Sequence, residues 1–366
     1  MGRIDVKSLT REELRSEMAK RGEKTFRGDQ IYEWIHKKLA ESFTQMSNLS
    51  RDLREQLEEE YEYVSLEIVE VQRSKLDGTC KYLFRLPDGY VIESVLMPYH
   101  HGNSVCISSQ AGCRMGCRFC ASTIGGLERN LRPSEMLDQV YQIQKDSGER
   151  VSNVVIMGTG EPLDNYTNLL TFLHLLSDEG GLNISQRNIT VSTCGIVPGI
   201  RQLAEEKLQI TLAISLHAPT QEKRQKLMPV ANKYHLEEVL DACAYYFRKT
   251  GRRITFEYSL LGGINDSLED AEALAALVKP IGGHVNLIPV NPVTERDFVR
   301  PGKKVIDNFK NKLENCGING TLRREMGRDI DGACGQLRKR YMKDRPENSP
   351  FGHKNYARGE KGGDKC

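Results

Sequence analysis

The chain is marked first by what it lacks. No run approaches the roughly 18 consecutive apolar residues that a membrane-spanning helix needs. Its first residues, MGRIDVKSLTREEL, carry no apolar segment of the secretory kind, which argues against a signal peptide. Val6 also stands where N-myristoylation expects Ser or Thr. A dominant charge is missing: the net charge of the 366 residues is +2, so a nucleic-acid partner must be held by local basic patches rather than a global field. Ten cysteines in so long a chain do not form a disulfide framework, and fit a reducing cytoplasm where thiols serve metals or catalysis. A structural zinc site wants paired cysteines at two places, and no second close pair exists here.

What is present is organised around Val105–Ser122, VCISSQAGCRMGCRFCAS. Cys113, Cys117 and Cys120 follow a β-branched run at the spacing C-x3-C-x2-C. Three thiolates so close repel one another unless a cation or cluster takes up their charge. An iron–sulfur cubane held by three cysteines leaves one iron open to a non-protein ligand. Phe119 sets an aromatic face beside the last cysteine. Structural zinc, or unconnected buried thiols, is the competing reading of this spacing.

Residues 1–63 read as helices. Thr10-Arg11-Glu12-Glu13 is a capping-box pattern, Gly28–Leu39 places Ile31, Trp34, Ile35 and Leu39 on one face, and Ser50–Tyr63 is highly charged. Trp34 is expected in the core. Lys20, Arg21, Lys24 and Arg27 cluster between helices and read either as a nucleic-acid contact or as solvated loop charge. Residues 64–98 alternate like an antiparallel meander with a turn at Pro87-Asp88-Gly89. Glu93 interrupts an apolar strand there, and the pattern favours a solvent-facing side chain.

From 99 to 335 one theme repeats. Apolar β-rich runs near 104–108, 153–157, 188–192, 210–216, 254–260, 284–290 and 320–323 alternate with helical stretches that include Pro133–Lys145, Val197–Glu205, Leu236–Lys249, Leu268–Val278 and Lys304–Cys316. This predicts an α/β fold of parallel strands with right-handed crossovers, closer to a full or partial barrel than to an open dinucleotide-binding sheet. Functional residues of such barrels gather at the C-terminal strand ends. Residues 336–366 hold nine Lys/Arg against four Asp/Glu with few apolar groups, which predicts a disordered basic tail.

The predicted strand ends all carry polar groups. One ends at Cys106, and another runs into Gly158-Thr159-Gly160-Glu161-Pro162, where Leu163 replaces the third glycine of a dinucleotide fingerprint. A glutamate at such a turn suits an ammonium group better than a pyrophosphate. Ser192 and Thr193 end the next, Ser215-Leu216-His217 the next, and Asn291 a later one. His217 reads as a ribose or backbone contact, with metal ligation the alternative. Cys334, between Ala333 and Gly335, is uncrowded and reads as a reactive thiol; Cys106 and Cys334 are both thiols that a cluster does not need.

Taken together, CISSQ-x2-C-x3-C-x2-C, NVVIMGTGEPL, ISLHAP, NLIPVNP and DIDGACGQL resemble the RlmN/Cfr family of radical S-adenosylmethionine (SAM) RNA methyltransferases, over essentially all of residues 1–340. The resemblance implies a partial (βα)6-type radical SAM barrel with a small N-terminal helical domain and a β extension. It implies a 4Fe-4S cluster on Cys113, Cys117 and Cys120, with SAM on the open iron and two SAM consumed per turnover. It implies SAM contacts at Phe119, Gly160, Glu161, Ser192, Ser215, Leu216, His217 and Asn291. By the same resemblance Cys334 carries a methyl group, Glu93 accepts a proton, and Cys106 resolves the adduct through a transient disulfide with Cys334. The implied substrates are 23S rRNA and, for some tRNAs, adenosine 37, methylated at carbon 2; carbon 8, as in the Cfr branch, is the alternative. A monomeric cytoplasmic enzyme served by a flavodoxin- or ferredoxin-type reductant is expected. Outside this family, a non-enzymatic iron–sulfur or zinc RNA-binding protein and a glycyl-radical activating enzyme compete; neither gives Cys106 and Cys334 a task.

Overall fold

A computed structural model describes residues 3–291, 296–330 and 335–344. At the N-terminus the sequence's capping signals act as expected. Helix α1 (Arg11–Lys20) opens on Thr10, whose hydroxyl accepts the Glu13 N–H while the Glu13 carboxylate accepts the Thr10 N–H at 2.7 Å. Ser50 caps α3 (Arg51–Glu60) more simply, its hydroxyl accepting the Leu53 N–H at 3.3 Å. Between them α2 (Phe26–His36) crosses α1 closely at Gly28, where a Cβ would stand 2.6 Å from the Arg15 backbone nitrogen. Trp34 does not enter the core. It is half-buried, its indole N–H donating to Asn48 and its ring covered by Lys38 at 4.1 Å, because a polar handle on a large ring is cheaper to leave at the surface.

Ten strands then lie side by side in chain order. These are β1 (Glu67–Arg73), β2 (Cys80–Arg85), β3 (Val91–Tyr99), β4 (Gly102–Cys106), β5 (Val151–Ile156), β6 (Ile189–Thr193), β7 (Thr211–Ser215), β8 (Ile254–Leu260), β9 (His284–Pro289) and β10 (Gly320–Leu322). Pairing is antiparallel from β1 to β4 and parallel from β4 to β10. The parallel strands are joined by α4 (Pro133–Ser147), α5 (Tyr166–Ser177), α6 (Val197–Glu205), α7 (Gln221–Leu227) with α8 (Leu236–Thr250), α9 (Leu268–Val278) and α10 (Lys303–Asn315). Six crossovers between parallel strands correspond to the expected (βα)6-type arrangement, with β1 and β10 as the two ends of the ladder. The meander is continuous with the parallel strands, so the β extension and the parallel part share one ladder of hydrogen bonds.

The main apolar core runs from Val6, Leu14 and Ile31 through Val105, Ile156 and Val191 to Phe256 and Leu287, with three smaller clusters beside it. Two polar links tie the N-terminal helices to α4: the Lys7–Asp138 ion pair at 2.7 Å and the His36 Nδ1–Tyr141 hydroxyl contact at 2.7 Å, all four groups buried. Among the described residues no helix is long and apolar enough to cross a membrane.

The tail expectation is corrected at its start. Residues Gln336–Asp344 form helix α11, with Leu337 and Tyr341 buried against Leu83 and Val91. Those two apolar residues, four apart, suffice to dock one helical face on the sheet in spite of the basic composition. Residues 345–366 lie outside the described part.

Candidate active site

The C-terminal ends of β5, β6 and β7 open on a cleft of about 610 Å³, its mouth included. Open parallel sheets bind ligands at this place because the helix-forming turns bring backbone amides and side chains together there. Cys113, Cys117, Phe119 and Cys120 form one wall; Gly160, Glu161, Ser192, Ser215 and His217 form the others. The structure thus gathers nearly all the predicted site residues. Of the residues expected at cluster and SAM, Leu216 and Asn291 are exceptions; Glu93 and Cys106 also stand outside the lining. Leu216 is buried behind the wall with its N–H on the Glu257 carbonyl at 3.0 Å, and Asn291 follows β9 outside the lining. Residues that sequence reasoning passed over also line the cleft, notably Cys194 and Met157.

Each wall is held by backbone geometry. The cysteine loop is bracketed by a two-stranded ladder, Gln110–Gly112 with Leu127–Asn130, and Cys113 N–H donates to the Gly126 carbonyl at 2.8 Å. Gly160 sits at φ +113°, and a Cβ there would stand 2.7 Å from the Gln110 side chain, so only glycine lets the turn pass so close to the cysteine loop. Glu161, which follows it, is buried. Burial raises its pKa, while its carboxylate accepts the Cys194 N–H at 2.7 Å and the Leu163 N–H at 3.1 Å, with the Cys194 thiol and the Thr193 hydroxyl also donating to it. His217 adopts φ +56°, its Nδ1 accepts the Ser259 N–H at 2.9 Å, and Phe119 meets its ring edge-on at 4.8 Å. Burial lowers its pKa to about 3, so the ring is neutral and its Nε2 carries the proton. This is the backbone contact that the strand end suggested.

Electrostatics explain what the cysteine wall requires. Burial pushes the Cys113 thiol up to about 12 and that of Cys117 higher still, with the neighbouring cysteines and Glu161 adding to the effect. Such thiols ionise together only when a metal takes up their charge. Among the described residues no three His, Cys, Asp or Glu side chains group as they would around one metal ion.

A second group lies on the sheet face beside the cleft. Across the antiparallel strands Lys81, Val95 and Cys106 stand in register, with Glu93 two residues from Val95 on the same face. Glu93 does not face solvent, contrary to its pattern; it is 4% exposed. Its carboxylate pairs with the Lys81 ammonium at 3.2 Å and accepts the Gly335 N–H at 2.6 Å and the Arg338 N–H at 2.5 Å. Lys81, which sequence reasoning missed, is fully buried; its signal was a lysine alternating with apolar residues in CKYLFR. Cys106 is buried among Val95, Met97, Val155 and Met157, and Met157 lines the cleft. Cys334 lies outside the described residues. Its neighbour Gly335 is described at φ +80°, where a Cβ would stand 3.0 Å from Ala121 and from the Ser122 nitrogen, next after Cys120.

Fold and cleft together define the class: a parallel sheet with three cysteines on a loop after a strand and a glutamate at the next strand end is a radical SAM architecture. Residues 107–278 match the Radical SAM superfamily model, and residues 4–62 match that of the ribosomal RNA large subunit methyltransferase N-terminal domain. A crystal structure of a radical SAM methyltransferase from Sphaerobacter thermophilus superposes with a TM-score of 0.87 at 42% identity, over 91% of this chain and 98% of that one. The chain is 66% identical to the probable dual-specificity RNA methyltransferase RlmN of Lachnospira eligens, covering 94% of this chain and 98% of the relative. It is 63% identical to the protein of the same description from Lachnoclostridium phytofermentans, covering 93% and 95%. The chain belongs to the RlmN family.

Proposed function

We infer that the chain is a radical SAM RNA methyltransferase that methylates carbon 2 of an adenosine in 23S rRNA, and of adenosine 37 in some tRNAs. The observation that carries this reading is the convergence, on one cleft, of Cys113, Cys117 and Cys120 with Gly160, Glu161, Ser192, Ser215 and His217. The residues fit the cofactors of the superfamily: two buried thiols, Cys113 and Cys117, that need a metal to ionise, the half-buried Cys120 beside them, and a buried carboxylate on the cleft wall to meet an ammonium group. In this reading the three cysteines hold a 4Fe-4S cluster, Glu161 and Gly160 receive the amino group of SAM, and the strand-end hydroxyls and His217 hold its remaining polar atoms. Phe119, Leu216 and Asn291 complete the SAM contacts. When bound, cluster and SAM supply a 5′-deoxyadenosyl radical.

The chain's own residues supply what this chemistry lacks. Adenine carbon 2 lies between two ring nitrogens and is electrophilic, so a methyl group cannot pass to it directly as an electrophile. Cys334 acts as the nucleophile that takes a methyl from one SAM, the new S–C bond replacing the sulfonium C–S bond. A second SAM per turnover is spent in activating that methyl group. The activated carbon, still on the Cys334 sulfur, bonds to adenine carbon 2; the resulting adduct gives one electron back to the redox chain that supplied it, and Glu93 accepts the proton that leaves carbon 2. The Cys106 thiolate then attacks the Cys334 sulfur, its new S–S bond replacing the S–C bond; the expelled carbon takes a proton to become the methyl group of the released base, and the disulfide is left for an external thiol or reductant to reopen. Glu93 and Cys106 lie on the same sheet face, and Glu93 binds the residue after Cys334; that placement supports their joint use. The electron comes from a flavodoxin- or ferredoxin-type donor, and a monomer in the reducing cytoplasm accommodates all the steps.

The target base must leave its stack to reach such a cleft. Phosphates of the folded RNA would meet exposed basic groups such as Lys24 and Arg253-flanking loops rather than Lys20 and Arg21, which are paired with Glu17 and Glu60. The test is mass spectrometry of RNA digests after anaerobic incubation with SAM, reductant and rRNA, beside a Cys334→Ala control. Formation of 2-methyladenosine, absent in the control, is the expected result. An 8-methyl product would move the enzyme to the Cfr branch, and no methylated adenosine despite SAM cleavage would refute the substrate assignment.

A further inference from the structure

Helix α7 lies directly beneath the cysteine loop. The Arg118 N–H donates to the Leu227 carbonyl at 2.9 Å, and Leu227 and Met228 pack with Cys117 and Cys194. From this helix Arg224 points inward and is wholly buried. Its Nη2 donates to the Cys194 carbonyl at 2.5 Å, while Nε and Nη1 have no hydrogen-bond partner.

Three Lys or Arg residues are buried among the described residues: Lys7, Lys81 and Arg224. Lys7 has Asp138 at 2.7 Å and Lys81 has Glu93 at 3.2 Å. No carboxylate of a described residue pairs with Arg224. A buried charge without a counter-ion is strongly unfavourable, and proteins keep one only where an anion arrives to meet it. A guanidinium does not escape by losing its proton. Burial holds the Cys117, Cys194 and Cys243 thiols and the His217 ring neutral, and Arg224 is the buried cation beside them; its helix packs through Leu227 and Met228 on Cys117 and Cys194. Of the three thiols, Cys117 is the one assigned above as a cluster ligand. The anionic groups that meet at the cleft when the cluster is bound are three thiolates and the Glu161 carboxylate. Arg224 is the buried cation on their far side.

We propose that Arg224 is a positioning residue for the cluster: its guanidinium is the built-in counter-charge to the Cys117 thiolate and makes the bound cluster easier to reduce. The proposal rests on the reading of Cys113, Cys117 and Cys120 as cluster ligands. A fixed positive charge behind one ligand stabilises the form that carries the extra electron. It leaves the three ligands and the open face unchanged, so it tunes reduction without blocking SAM.

The test uses the full-length protein reconstituted anaerobically with iron and sulfide, in wild-type form and as Arg224→Lys, Arg224→Gln and Arg224→Met. The midpoint of the cluster is read by titration with dithionite, followed by the electron paramagnetic resonance of the reduced state. The Gln and Met variants are expected to bind iron but to shift the reduction equilibrium at least tenfold toward the oxidised cluster, about 59 mV for one electron. Lys should restore most of the wild-type midpoint. Before reconstitution, thermal stability of Arg224→Met should equal or exceed wild type, because without the cluster an uncompensated buried charge has been replaced by an apolar side chain. Equal midpoints in the Lys and Gln variants overturn the proposal whatever happens to the Met variant, and leave Arg224 as a prop for the Cys194 carbonyl. Full cluster content in Cys117→Ser overturns the ligand assignment, and the proposal with it.

Discussion

Glu93→Gln tests how the turn that carries Cys334 is held. In the native chain the two carboxylate oxygens divide the work: one accepts the Gly335 N–H at 2.6 Å, the other the Arg338 N–H at 2.5 Å, and Lys81 stands 3.2 Å from the first. An amide offers one acceptor oxygen and turns an NH₂ donor toward whichever N–H remains. At least one charge-assisted hydrogen bond is lost, worth about 1.5–3 kcal/mol. At about 1.4 kcal/mol per factor of ten, opening of the segment 335–344 rises roughly ten- to a hundredfold. Amide hydrogen exchange followed by mass spectrometry reads this directly, with the peptide spanning α1, capped independently by Thr10, as internal reference. Glu93→Gln also leaves the Lys81 ammonium without its carboxylate, which lowers global stability as well. The double variant Lys81→Met/Glu93→Gln removes that second effect. It should recover denaturant stability while 335–344 still exchanges fast. Unchanged exchange of 335–344 in Glu93→Gln would refute the idea that this carboxylate holds the turn.

Four further outcomes follow from the same geometry. Lys81→Met alone, by stranding the Glu93 carboxylate, should cost about 3 kcal/mol in denaturant unfolding, and a loss under 1 kcal/mol would speak against a working pair. Burial lowers the His36 pKa to about 3, below its value near 6.5 in the unfolded chain, so unfolded molecules bind the proton first; the contribution is complete above about pH 6.5 and drains away toward pH 3 at about 1.4 kcal/mol per unit. His36→Gln, which still offers Tyr141 a partner, should therefore flatten the loss of stability between pH 6.5 and 4, seen in urea midpoints. Gly335→Ala, strained at φ +80° and pressed against Ser122, should slow methyl transfer to RNA while cluster content stays at wild-type level. Cys106→Ala should leave protein covalently joined to RNA, visible as a shifted band under denaturing conditions, whereas Cys194→Ala should turn over and release product.

Sequence periodicity revealed the sheet because parallel strands alternate with amphipathic helices at spacings that local chemistry sets. The seven apolar runs from 104 to 323 each overlap a strand of the parallel ladder. The cysteine loop and Glu161 were legible for a different reason: their spacing encodes chemistry regardless of fold. Glu93 was not, since alternation alone cannot tell a side chain facing solvent from one facing a helix that arrives 240 residues later. The same limit hid Lys81 and made the start of α11 look like tail; Leu337 and Tyr341 find their partners, Leu83 and Val91, only across the whole chain. Arg224 was invisible for the converse reason. An arginine on a short charged helix, QEKRQKL, reads as a surface residue, and only packing beneath the cysteine loop buries it.

The placement of Glu93 joins two steps that the sequence leaves separate. A carboxylate has about four lone-pair sites, and three donors, from Lys81, Gly335 and Arg338, already use most of them. One more proton, taken from a base adduct, makes one oxygen a donor and cancels the charge that strengthens the other bonds. It cannot be received while every contact to the turn after Cys334 persists at full strength. On the reading that Glu93 is the proton acceptor, proton uptake and loosening of that turn are one event, and they precede the attack by Cys106 that must reach the Cys334 sulfur. RNA held covalently in Cys106→Ala should then leave 335–344 exchanging faster than in the same variant without RNA. Equal or slower exchange in the adduct would show that Glu93 keeps its grip, and that the proton goes elsewhere.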